Sequence, residues 1–162
     1  MTITKNHAII AVAVLALVVV FFGSKTTNLN EPPTSSLSWA EASDAANDIC
    51  SKRKNLFYTP VYGNSMKPAI YGGNTIVIYE SIIDTAKIKK GDYVLRQTGV
   101  GKTLHRCISV NKEKGTIKIT GVNNMKIDMT VDASDLIGRY VMQIVFDPEK
   151  GFAWEMNKKS GQ

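Results

Sequence analysis

The sequence predicts a mainly β fold, a coiled antiparallel sheet, preceded by one N-terminal transmembrane helix and one amphipathic helix. Three observations carry that prediction. Short runs rich in β-branched residues recur between turn signals from position 56 onward. A helical pattern with its own start signal occupies 38–54. An uncharged apolar run fills 8–22.

The apolar run comes first. From Ala8 to Phe22 it holds no charged residue, yet it is shorter than the about 20 residues of a usual spanning helix. Extended to Lys5 and Lys25, it reaches about 30 Å at 1.5 Å per residue, enough if both lysines snorkel. A cleaved secretory signal is the competing reading. It wants small residues at the exit, where bulky Phe21 stands. An uncleaved membrane anchor over 1–25 is therefore expected. The N-terminal amine and Lys5 precede the run, and Lys25 alone follows closely. That bias favours a single pass with the N-terminus inside and the following domain on the outer (periplasmic or extracellular) face.

Residues 26–37 are rich in Thr, Asn, Ser and Pro, with Pro32 and Pro33 as stiffeners, so they read as a linker holding the domain off the bilayer. The domain then runs over 38–162. Ser38 followed by Glu41 reads as a capping box. A helix to about Lys54 follows, with Trp39, Ala42, Ala46, Ile49 and Cys50 on the side that packs on the β domain. Strands are expected at 56–62, 75–80, 93–97, 103–110, 116–120 and 137–146. Gly72-Gly73-Asn74, Gly99-Val100-Gly101 and Asn123-Asn124 mark turns between them. Short non-local strands in this number suggest a single coiled sheet.

Composition narrows the function classes. The chain has 162 residues and a formal net charge of +6, which bounds it to one modest domain with appendages. The lysines are scattered, without the clustered basic and aromatic face that nucleic acid requires, so no nucleic-acid partner is expected. The excess suits either contact with anionic membrane lipid or ordinary solubilising charge. An exported domain permits a disulfide between Cys50 and Cys107; two separate buried thiols are the alternative, since sequence does not give their separation. Neither cysteine spacing nor a histidine cluster supports a metal site, and no cofactor is expected.

The stretch most suggestive of chemistry is Gly63-Asn64-Ser65-Met66-Lys67-Pro68. A serine hydroxyl is a weak nucleophile and needs a neighbouring base. Gly63 lets the backbone turn and a substrate approach; Pro68 stiffens the exit. A surface turn rich in small residues is the plainer reading of this string. Thr103-Leu104-His105-Arg106 adds a candidate base, His105, inside an expected strand. Lys102 is the other candidate. Three positions apart, Lys102 and His105 lie on opposite faces of a regular strand, so only one is expected to meet Ser65. Cys107, two residues from His105, shares its face.

These motifs, with the Gly91-Asp92-Tyr93-Val94 turn and, more weakly, Gly121-Val122-Asn123-Asn124 with Asp128, resemble the signal peptidase / LexA-like superfamily of serine peptidases (S24/S26). The resemblance implies the coiled β fold of that superfamily, a nucleophile at Ser65 and a base at His105. Most bacterial relatives carry lysine at the second place; histidine is the archaeal and endoplasmic-reticulum variant. That variant has an aspartate where this chain has Val122, and a second where it has Asp128. Asp128 is thus the candidate to orient His105, with Asp132 and Asp135 in reserve; a solvated loop acid is the other reading of each. Asp92 reads as a turn residue. The Ser65 backbone N–H is the expected oxyanion donor. Gly63 offers no hydroxyl for that purpose, and Asn64 reads as a turn residue.

Histidine starts near pH 6.5 and so serves without the deep desolvation a lysine base needs. Activity rising from acid through about pH 6 to 7 is expected. The resulting expectation is a membrane-anchored serine endopeptidase, and the resemblance implies that it cleaves exported preproteins after small side chains. The extended polypeptide substrate would pair with the edge running through Leu56, Phe57, Tyr58, Val61 and Tyr62. Phe57, Tyr58, Phe152 and Trp154 are candidates for pocket lining or membrane contact, against plain core packing. Two alternatives stand beside this: a self-cleaving LexA-like regulator, disfavoured by an apolar anchor where a DNA-binding segment belongs, and a non-catalytic binding or scaffold module, favoured by the absent acid at Val122.

Overall fold

Seven strands form one antiparallel sheet in the computed structural model, which describes residues 31–82, 84–123 and 129–150. The elements in chain order are α1 (Trp39–Ser51), β1 (Leu56–Pro60), β2 (Thr75–Ser81), β3 (Tyr93–Thr98), β4 (Gly101–Asn111), β5 (Thr116–Thr120), β6 (Met129–Asp132) and β7 (Leu136–Val145). Short 3-10 turns lie at Thr85–Lys87 and Ala133–Asp135. The spatial order is β1-β2-β7-β3-β4-β5-β6, with every neighbouring pair antiparallel. Register shifts at Ile78/Tyr79, Leu95/Arg96 and Cys107/Ser109 interrupt the ladders. Such bulges bend strands and increase local twist.

The expected β class and its helix are therefore found, with one strand more than expected. Among the described residues no helix is long and apolar enough to cross a membrane. The expected anchor over 1–25 lies outside the described residues, as do Phe152 and Trp154.

The helix forms where its start signal predicts. The Ser38 hydroxyl accepts from the Glu41 N–H at 3.2 Å, and the Ser38 N–H donates to Glu41 Oε2 at 2.7 Å, satisfying two groups a helix N-terminus leaves open. The helix ends at Ser51, short of the expected Lys54. Ala42 and Ala46 are fully buried against Ile76, Ile78 and Phe146, with Trp39, Ile49 and Cys50 at the margin. The Trp39 and Phe146 rings meet edge to face at 5.2 Å.

The expected linker is tied down at its end instead of standing clear. The Asn74 side chain donates to Pro33 O, the Asp147 N–H donates to Leu37 O, and Leu37 packs beside the helix cluster.

Strand β2 is buried over Thr75–Tyr79 on both faces. Ile76 and Ile78 face the helix, while Val77 and Tyr79 join Val61, Met66, Ile70, Leu95 and Leu104 in a second cluster. A third cluster holds Val94, Cys107, Ile117, Ile119, Val131 and Leu136 at the far end of the sheet. Cys50 and Cys107 belong to different clusters and are both free thiols, so the disulfide permitted by compartment is not formed.

Candidate active site

The connection from β1 to β2 carries Ser65, and the chain folds back on itself to present it. The Val61 N–H bonds Thr75 O and the Gly73 N–H bonds Val61 O, both at 2.9 Å. Between these ties the backbone pinches: a Cβ on Gly72 would lie 2.1 Å from Gly63 O, so no side chain fits there. Gly63 itself has φ +83°, a conformation that costs glycine little. Met66 and Ile70, both 2% exposed, anchor the loop in the second cluster. Asn64 serves the turn through its carbonyl, which accepts from the Lys67 N–H at 3.1 Å.

A second segment, after β5, clamps the same loop. The Asn123 N–H donates to Ser65 O at 2.8 Å, and its side-chain amide donates to Asn64 O at 3.3 Å. Gly121 lies so close that a Cβ there would stand 2.8 Å from Ser65 O. The weakest of the sequence motifs thus fixes the backbone of the serine.

The imidazole arrives on β4, where His105 pairs with Val94 of β3. It is half-buried, and Nδ1 is enclosed with no hydrogen-bond partner among the described residues. Burial lowers its pKa below the ordinary imidazole value, and the charge of Arg96 lowers it further.

Ser65 and His105 line one cavity of about 350 Å³. Among the described residues no hydrogen bond joins the two side chains. Its lining comes from Val61, Tyr62 and Gly63 ahead of Ser65, from Lys102, Thr103 and Leu104 on β4, and from Leu95 and Tyr79. The Tyr79 hydroxyl is buried without a well-formed hydrogen bond, although Thr59 approaches it, and burial pushes its pKa up to about 12. Residues 102–105 all border the cavity, and β4 keeps an unbroken register with β3 over these positions, so Lys102 and His105 stand three positions apart on a regular strand.

Of the candidate acids, Asp128 lies outside the described residues. Asp135 is held by Arg96, whose Nη2 stands 2.8 Å from its Oδ2. Asp132 caps the following turn, accepting from the Ser134 N–H and hydroxyl. Both reserves have other partners. Asp92 accepts from the Lys89 N–H at 2.9 Å, as a turn residue does.

The expected substrate strand is shorter than 56–62, ending at Pro60. Phe57 stacks on Tyr79 at 5.4 Å, and Leu56 and Tyr58 pack in the helix cluster. These three are partly buried and pack against the core clusters; Val61 and Tyr62 line the cavity. Two strand edges border it. Strand β1 ends the sheet order, and β4 pairs with β5 only from Arg106 onward, leaving 101–105 paired on one side. No group of metal-ligating side chains occurs among the described residues.

A family model described as Peptidase S24-like matches residues 20–141, which include every cavity residue named above. The chain belongs to the Peptidase S24-like family. No curated protein matches it. Membership in the Peptidase S24-like family supports serine peptidase chemistry at the family level. A serine and a half-buried imidazole in one cavity have the groups that chemistry requires. Sequence reasoning missed Arg96, Tyr79 and the clamp by Asn123. Only the last left a signal, in the Gly121-Val122-Asn123 string.

Proposed function

We propose that the protein is a membrane-anchored serine endopeptidase of signal peptidase type, acting by a Ser-His mechanism on extended polypeptides. The observation that carries this reading is the shared cavity of Ser65 and His105. A depressed pKa keeps the imidazole neutral, and therefore able to accept a proton, at neutral pH.

In this mechanism Ser65 Oγ attacks the scissile carbonyl while His105 takes its proton. The Ser65 N–H stabilises the developing oxyanion. The imidazolium then protonates the leaving amine, and water hydrolyses the acyl-enzyme with His105 again as base. Asp128 is the proposed partner of Nδ1, the nitrogen that has none among the described residues. The substrate backbone lies in the channel between the β1 edge and 101–105, adding main-chain hydrogen bonds to open strand edges. Substrates are exported preproteins cut after small side chains, on the outer face of the membrane.

The test is cleavage of a labelled preprotein by purified full chain in detergent. Ser65→Ala and His105→Ala should each lower turnover by about 10²–10⁴-fold or more without changing the thermal unfolding midpoint by more than a few degrees. Cleavage retained in both variants would reject the assignment.

A further inference from the structure

We propose that Lys102 reads an acidic side chain of the bound polypeptide, about three residues from the scissile bond. This deepens the peptidase reading and rests on it for where the scissile bond lies. Lys102 lines the cavity that holds Ser65 and His105, and among the described residues no aspartate, glutamate or arginine does. It makes no ion pair among the described residues. Its place is fixed by the hairpin that precedes it: Lys102 pairs with Gln97, and Gly101 O accepts from the Gln97 amide at 3.2 Å and the Thr98 hydroxyl at 2.8 Å. The backbone therefore presents this side chain from a defined point on the open edge of β4.

Lys102 is exposed. At the mouth of the cavity it offers a positive charge to a peptide lying along the open edge of β4, where an opposite charge is attracted. Three residues of strand separate it from His105, about 10 Å at 3.3 Å per residue. An extended peptide lying along β4 has the same rise, so the side chain beside Lys102 belongs about three residues from the bond cut at Ser65. An acidic side chain there gains a partner, and a basic one is repelled.

The experiment uses the full chain in detergent and a peptide library in which Asp, Asn or Lys is placed in turn at each position within about four residues of the cut. The wild type should favour Asp over Lys by about tenfold at one position, with Asn between. Lys102→Arg should keep the preference, Lys102→Gln should remove it, and Lys102→Glu should invert it. Salt at about 0.5 M should weaken it. A structural role for Lys102 would lower all rates together and leave the ranking unchanged. In a parallel arm, the Ser65→Ala chain retains peptides from the same library, read by mass spectrometry. Retention of acidic peptides that depends on Lys102, with no cleavage by wild type, would sink the peptidase reading and keep this one. Cleavage without an acidic preference, or a preference untouched by Lys102→Glu, would overturn this inference and leave the peptidase intact. Neither cleavage nor charge-dependent retention would overturn both.

Discussion

Burial takes the His105 imidazole below its ordinary range, and the Arg96 guanidinium takes it lower. The base is then neutral, and active, further into acid than a free histidine. Burial and Arg96 draw the acid limb of kcat/KM below about pH 6.5, against which the proposed Asp128 carboxylate pulls it up. Arg96→Gln removes one of the two causes, so the limb should move to higher pH, toward the free value. Arg96→Lys should hold it in place. An unmoved limb in Arg96→Gln would show that the titrating group is not His105. The serine and histidine were legible because each sits in a short local string with its own chemistry. Arg96 was not. It is two residues beyond Val94, the cross-strand partner of His105, so its influence is a diagonal relation across a ladder. Asp132 and Asp135 show the converse limit. Their proximity in sequence to the candidate acid suggested a role, but one caps a turn and the other answers Arg96.

Elements with strong local signals were legible nearly to the residue. The capping box set the start of α1, and β-branched runs between glycine turns gave β2, β3 and β5. Strand β6 escaped because only Val131 among its four residues is buried; its place comes from pairing with β5, not from a pattern of its own. The segment between those two strands matters for the site. Gly121 and Asn123 press on the Ser65 backbone, which makes the loop after β5 a support for the nucleophile. Gly121→Ala puts a methyl group 2.8 Å from Ser65 O, a backbone atom that must move. A displacement of this kind at a nucleophile costs rate through lost alignment. The expected result is kcat down by about 10- to 100-fold, with KM for a short peptide changed much less. Unchanged kcat would mean that the contact does not position the serine.

At the scale of the whole molecule, the described residues bury three apolar clusters. The three apolar clusters run from Leu37 to Phe146 and enclose both faces of β2. The cavity, the loop of Ser65 and the strand of His105 are all built from residues within that span. The apolar run 8–22 lies outside the described residues; its unbroken hydrophobicity suits a bilayer, the medium proposed for it. Chemistry and address should then separate cleanly. A chain beginning at Glu31 keeps Pro33 and Leu37, whose carbonyls accept from Asn74 and Asp147; it should fold and cleave a short peptide at a rate within about threefold of the full chain. It should also remain in the aqueous fraction when mixed with phospholipid vesicles, whereas the full chain should float with them. Salt should not release the full chain, because an apolar span is held by burial and not by the lysines around it. Flotation of the shortened chain would move the membrane contact onto the β domain. A full chain that stays in solution would remove the anchor, and with it the reason for placing this peptidase beside exported substrates.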